Sequence, residues 1–535
     1  MKKNTMATAI IAGLAGVAGI ANISTAVNLN PDGVGQVLLY PYYSVNAGNT
    51  TVLSVVNTTD SGKAVKVRFL DAMNSREVLD FNLYLSEYDV WTAGIFSLDA
   101  AGPANIVTSD TSCTVPGIES GIFQIPVLPD GRRYFPFRTS FFSDQATLAA
   151  GASSGNARTR TGYVEMIEMG SIPYDSAFGF GFFLTHINNR PADCSALEGA
   201  WLASGTPGGS GIWFNNPRVD LEAPTGGLFG GAAIVNVADG TYINYNAEAI
   251  DGFSAAIQHT GPGSIFPNLG SASQAGGGVV TSYVFDRGRL ITSNWLVSGA
   301  GAGVGAANAV SAVLMREALF NEYEVDPDLG AASEWVVTLP TKKLYVTGPA
   351  PSTAQPVVAL PPFTVGWASC ERVSGRIYNR EEDTFRIFDF SPGGARTAIC
   401  REANVLWFQR APNAAAASPI HGEPAYAAVP TYLRLFGITQ KTFSNGWFWL
   451  GFYDENAINS VGAADPLERP ALIETAPGAT GPDRFYGLPA VGYWALRVLN
   501  VNQGAGLQAS YGGAYPHRAS RACFKGDFGD SAPCD

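Results

Sequence analysis

The chain has 535 residues, of which 15% are charged, and Lys plus Arg trail Asp plus Glu by 33 to 45, a net charge of −12. An acidic chain without a basic cluster argues against a nucleic-acid partner, because phosphate neutralisation needs concentrated Lys and Arg, and it suits an anionic membrane surface no better. The 61 glycines, 33 prolines and 11% aromatic residues argue against disorder and for short strands joined by many turns, in roughly two to four domains.

Lys2 and Lys3 precede an uncharged, small and apolar run at residues 7–21, and Ser24-Thr25-Ala26 puts small residues at the minus-three and minus-one positions of a cleavage site. This is the layout of a secretory signal peptide over residues 1–26, cut after Ala26 or, alternatively, after Ala21. The run is too short and too glycine-rich to be a comfortable membrane span, and no cysteine follows it to carry a lipid. The mature chain is expected to be exported, to the periplasm, cell surface or extracellular space, with no integral membrane span. Six cysteines, an even number, suit that destination as disulfides. Pairing of sequence neighbours is expected, Cys113 with Cys194, Cys370 with Cys400 and Cys523 with Cys534, although sequence alone leaves the connectivity open. No Cys-x-x-Cys occurs, which argues against a thioredoxin-like site, a zinc ribbon or haem attachment.

Residues 36–45 are rich in Val, Leu and Tyr, and 51–57 follow a turn at 46–49. In 64–70, Val65, Val67 and Phe69 alternate with Lys66 and Arg68; in 78–85, Leu79, Phe81, Leu83 and Leu85 alternate with Asp80, Asn82 and Tyr84; residues 90–95 complete the set. Period-two strands separated by turn residues predict an antiparallel, immunoglobulin-like β-sandwich over residues 27–115, one face buried and the other wet. The fold class is therefore mainly β, with further β-rich regions and few helices after the sandwich.

A β-rich middle domain is expected over 116–347. Residues 121–128 and 162–169 read as strands around a small-residue loop at 145–160. Asp239-Gly240 and Asp286-Arg287-Gly288 each sit between two β-like runs and predict hairpins. Residues 307–323 are the best helix candidate, with Val310, Val313, Leu314 and Leu319 at helical spacing; 335–339 and 343–346 read as strands around Pro340-Thr341. Residues 348–362 form a Pro-rich linker, and 363–535 a C-terminal β-rich domain with strands near 404–409, 432–436, 446–453 and 492–499.

The motifs of chemistry are sparse. Residues 151–155 match G-x-S-x-G but lack the strand and helix that a nucleophile elbow requires. Gly301-x-Gly303-x-x-Ala306 lies between a strand and a helix, as a dinucleotide site would, but without surrounding βαβ units; the plainer reading is a glycine-rich loop before a closely packed helix. His186, His259, His421 and His517 have no metal-ligand spacing and read as loop or surface residues. Glu165 and Glu168 lie three apart in a strand, on opposite faces, so they make no catalytic pair by themselves. Asp326 and Asp328 belong to an acidic run that could hold calcium, though a solvated turn is the plainer reading; no other cofactor or metal is expected. Trp447 and Trp449 share one face of a strand and could stack on a ligand such as a sugar if exposed, but a buried core is the plainer reading because their neighbours are also apolar. No catalytic residue is identified.

The segments 35–43 (GQVLLYPYY), 54–59 (SVVNTT), 65–69 (VKVRF), 75–82 (SREVLDFN) and 89–91 (DVW), with 321–323 (NEY) and 334–342 (EWVVTLPTK), resemble uncharacterised exported, cell-surface proteins of Gram-negative bacteria. The resemblance implies export and a β-rich N-terminal domain, and carries no site residues. The sequence thus predicts a structural, adhesive or ligand-binding protein, more a binder than an enzyme, whose loops meet a surface ligand, glycan or protein. The alternative is a carbohydrate-active or other hydrolase, which would need two carboxylates converging in a cleft about 5 to 10 Å apart. An outer-membrane barrel would need longer alternating strands than these.

Overall fold

The computed structural model describes residues 26–118, 126–140, 155–347, 358–363, 370–387, 398–409, 417–423, 432–434, 442–453, 469–500, 509–526 and 532–534. Residues 1–25 of the expected signal segment, the serine of the G-x-S-x-G match, most of the strand expected at 121–128 and most of the expected Pro-rich linker lie outside these residues. The protein is mainly β, and its sheets are largely antiparallel. No helix among the described residues is long and apolar enough to cross a membrane.

The largest sheet has nine strands in the order Arg289–Leu296, Val279–Asp286, Val27–Leu29, Glu248–Asp251, Val37–Ser44, Thr161–Ile172, Gly62–Asp71, Glu77–Leu85 and Cys113–Val115. One pair, Val27–Leu29 with Val279–Asp286, is parallel. Facing it is a six-stranded sheet in the order Thr241–Asn246, Leu228–Asn236, Asn49–Asn57, Val90–Ser97, Ala104–Val107 and Tyr134–Pro136. Strands from residues 27–115 thus share both sheets with strands from as far along the chain as Leu296. Leu38, Tyr40, Val67 and Phe69 of the larger sheet and Leu53, Val55, Trp91 and Ile95 of the smaller join in one buried apolar cluster.

The other face of the nine-stranded sheet is not wet, as the alternation had suggested, but covered. Val37, Leu39, Ile167 and Ile250 pack there with the helix Ala307–Leu314, and Ala64, Tyr84 and Met169 pack with the short helices Phe180–Leu184, Cys194–Trp201 and Ile212–Asn215. Covered on both sides, Val37–Ser44, Gly62–Asp71 and Thr161–Ile172 are buried along their whole length. The polar residues that face this second interface pair with one another. Arg68 Nε and Nη1 donate to Glu77 and Glu165 at 2.8 and 2.9 Å, and Lys66 Nζ lies 3.4 Å from Asp80. Glu165 and Glu168 do face opposite sides, for Glu168 pairs separately with Lys63 at 2.8 Å.

The helix expected at 307–323 ends at Leu314, where Met315 turns extended. Its second half becomes the strand Ala318–Glu324, hydrogen-bonded between Asn445–Gly451 and Arg518–Ser520. Lys342–Tyr345 is a helical turn rather than a strand, closed by the Leu344 N–H bond to Thr341 O at 2.9 Å. Two five-stranded sheets build the C-terminal half. One runs Thr384–Ile387, Ser374–Asn379, Asn445–Gly451, Ala318–Glu324, Arg518–Ser520; the other runs Tyr432–Arg434, Ala403–Gln409, Ala331–Thr338, Val491–Val498, Tyr511–Pro516. Both expected hairpins form, Leu228–Asn236 with Thr241–Asn246 and Val279–Asp286 with Arg289–Leu296. The disulfides are Cys113–Cys194, Cys370–Cys400 and Cys523–Cys534, the neighbour pairing.

Candidate functional site

Asn445–Gly451 is the middle strand of its sheet, and its side chains alternate between core and surface. Phe448 and Leu450 are fully buried, while Trp447 is 42% exposed. On the outward face Trp447 stands between Tyr378 and Glu322, and Trp449 between Arg376 and Phe320, in register across three strands. The Tyr378 and Trp447 rings stack in parallel, 4.2 Å between centroids with an interplanar angle of 4°. The Arg376 guanidinium lies 5.4 Å from the Trp449 ring centroid, and Tyr453 meets the same indole edge-on at 5.7 Å. Such ring pairs contribute about 0.5–1.5 kcal/mol each beyond their buried area, so they hold the platform as well as present it. Glu322 and Arg518 are exposed at its margin. Flat aromatic surface flanked by a carboxylate and guanidinium groups can stack on apolar C–H faces and hydrogen-bond a rim of hydroxyls.

A second concave feature lies at the rim of the nine-stranded sheet. Cys113–Val115 pairs with Asn82, Leu83 and Tyr84, and among the described residues the first half of Glu77–Leu85 has no partner strand on that side. There a cavity of about 380 Å³ is lined by Val78, Leu79, Phe81, Ile118 and Phe135, with Arg138 at its mouth. Its carboxylates are engaged. Glu77 holds Arg68, and Asp80 accepts from the Gly263 N–H at 2.7 Å as well as facing Lys66.

The acidic run serves its own turn. Glu324 accepts from the Asp326 N–H and Asp326 from the Asp328 N–H, both at 2.9 Å, and Asp328 is exposed. The one group with metal-like spacing among the described residues is Asp483 with Cys523 and Cys534, and those two sulfurs are joined to each other. After Arg289–Leu296, the glycine-rich residues 299–305 lead into Ala307–Leu314, but the preceding strand is an antiparallel edge strand, not part of the parallel crossover that a dinucleotide site needs.

Two of the four histidines are buried rather than on the surface. His259 donates from Nδ1 to Pro217 O at 2.6 Å and accepts from Tyr84 OH at 2.9 Å; burial pushes its pKa down to about 3. His421 lies between Glu334, 2.6 Å from Nδ1, and Tyr493 OH, 3.0 Å from Nε2. His517 is half-buried and donates to Val336 O at 2.9 Å, its pKa lowered by burial to about 4. His186 meets Ser86 Oγ at 3.1 Å. Asp89 and Asp110 converge on the Ser112 hydroxyl, at 3.2 and 2.7 Å. Each also holds backbone N–H groups, Ser86 and Val90 for Asp89, Thr92 and Ser112 for Asp110. Burial raises the Asp89 pKa.

No protein-family model, curated protein or solved structure matches this chain.

The sequence put Trp447 and Trp449 on one strand face, with burial in a core as the plainer reading, and did not reveal their neighbours. Arg376 and Tyr378 alternate with Ile377 in an ordinary strand pattern, and nothing local says that they cross to Trp449 and Trp447. The cavity was equally hidden, because its wall is assembled from residues 77–81, 116–118, 135–138 and 262–263.

Proposed function

We propose that this is an exported binding protein, related to cell-surface proteins of Gram-negative bacteria, that recognises a glycan through the outward face of Asn445–Gly451. The half-exposed Trp447, stacked on Tyr378 and followed two residues on by Trp449 under Arg376, carries this reading. A large aromatic left in water costs hydrophobic free energy, so several aligned on one strand face suit a partner that covers them. Three disulfides and a β-rich frame suit an oxidising compartment and a rigid platform. Binding is favoured over hydrolysis by the carboxylates: Glu77 and Asp80 at the cavity face cations, and Asp89 and Asp110 hold backbone amides.

The test is a glycan array on the purified mature protein, followed by calorimetry of the best ligand. Trp447→Ala and Trp449→Ala are expected to weaken binding by about thirtyfold each, equivalent to the ~2 kcal/mol of a binding hot spot, with unchanged circular dichroism. An array without ligands, or variants that bind as the parent does, would sink the reading. Release of reducing sugar from the bound glycan would move the protein to the hydrolase class.

A further inference from the structure

The cavity at the rim of the nine-stranded sheet has the composition of a small-molecule site of its own, away from the tryptophan face. Its volume of about 380 Å³ lies in the range of ligand pockets, roughly 300–1,000 Å³. The wall is apolar, formed by Val78, Leu79, Phe81, Ile118 and Phe135. Among the described residues the strand Glu77–Leu85 continues past its short partner Cys113–Val115, and its Val78, Leu79 and Phe81 belong with Ile118 to the buried cluster between the two large sheets, so the wall is packed in place.

Charge decides the kind of occupant. Glu77 is held by Arg68 at 2.8 Å, and Asp80 by the Gly263 N–H at 2.7 Å and by Lys66. These carboxylates are already compensated. Arg138 is not: its backbone N–H is fixed to Val78 O at 2.8 Å, its guanidinium lies 5.3 Å from the Phe135 ring centroid, and among the described residues it has no carboxylate partner. The side chain is exposed at the cavity mouth. A fixed backbone and a ring beneath the guanidinium restrict the motion of this cation, so less entropy is lost when it takes an anion. Arginine presents a planar donor fork matched to a carboxylate.

We propose that this cavity binds an amphipathic carboxylate, an acyl or aryl acid whose apolar part occupies the pocket between Val78, Phe81, Ile118 and Phe135 and whose carboxylate meets Arg138. The site is independent of the glycan face.

Octanoate, octanol and octylamine are the probes, titrated by calorimetry into the intact mature protein. Octanoate is expected to bind tightest and octylamine weakest. Arg138→Gln, at an exposed position, is expected to weaken octanoate by about tenfold or more, the worth of a charge-assisted hydrogen bond, and to leave octanol unchanged. Ile118→Trp fills the pocket and is expected to abolish both. Circular dichroism and the melting temperature confirm that each variant is folded. The proposal is overturned if octanoate does not bind, if it binds no tighter than octanol, or if Arg138→Gln binds it as well as the parent.

Discussion

Glu402 shows how burial of a single side chain makes stability depend on pH. Its carboxyl is fully buried, and burial raises its pKa to about 7, opposed in part by Lys342, Ser75 and Lys343. The sign follows from linkage. The unfolded chain releases this proton near pH 4.5, whereas the folded protein keeps it until about pH 7, so between those values the native state binds more protons. This group therefore withdraws stability as the pH rises from 4.5 to 7, by at most about 3 kcal/mol. Glu402→Gln carries no such proton. Urea denaturation between about pH 5 and pH 8 is expected to show the variant gaining stability relative to the parent as the pH rises, then holding that gain. A constant difference across the range would mean that Glu402 titrates normally. His259 and His517 act at the other end: their depressed pKa values, about 3 and about 4, remove stability as the pH falls below the imidazole value of 6.5.

Among the elements, what was legible in the sequence is local. Asp286-Arg287-Gly288 predicted a hairpin because a two-residue turn needs left-handed backbone, and Arg287 and Gly288 adopt φ of 49° and 81°. The helix was overextended because Leu319 continues the apolar spacing of Val310 and Val313, although Ala318–Glu324 takes its hydrogen bonds from strands more than a hundred residues away. The buried fate of Lys66 and Arg68 was illegible for the same reason: alternation reports which residues share a face, not whether a third layer covers it. Trp447 and Trp449 were legible as sharing a face, but which face is wet is again set by distant packing. The disulfides act on this scale too. Cys113–Cys194 ties the edge strand Cys113–Val115 to the helix Cys194–Trp201 across 81 residues, whereas Cys523–Cys534 spans 11. Loop-closure entropy makes the longer crosslink worth about 2 kcal/mol more. Replacing Cys113 and Cys194 by Ala is therefore expected to lower chemical stability more than replacing Cys523 and Cys534, as equilibrium denaturation would show; equal losses would place the effect in native packing instead.

Over the whole molecule, the two halves share one interior. Val336, Ala403 and Tyr493 of the C-terminal sheet enter the same apolar cluster as Tyr42 and Val67, and Thr338 Oγ1 and Tyr42 OH bond across the junction to Pro41 O and Glu423, both at 2.6 Å. The first described residues are built into this interior as well. Val27–Leu29 lies inside the nine-stranded sheet between Glu248–Asp251 and Val279–Asp286, with Ala26 and Val27 only 2% and 0% exposed and Ala26 O accepting from Asn28 Nδ2 at 2.9 Å. Signal processing after Ala26 would put a charged amine on Val27, within an apolar cluster that includes Val37 and Val280. An uncompensated buried charge costs several kcal/mol. Processing after Ala21 keeps residues 22–26 on the chain and puts the charge on Asn22 instead of Val27. Small residues, Gly19 and Ala21, occupy the required positions there too. Under the proposed export, Edman sequencing of the processed protein is expected to read Asn22 first. A version beginning at Val27 is expected to melt lower than one beginning at Asn22, and the gap should narrow above about pH 8, where an α-amine loses its proton. A natural Val27 start with undiminished stability would show that the sheet accommodates the terminus.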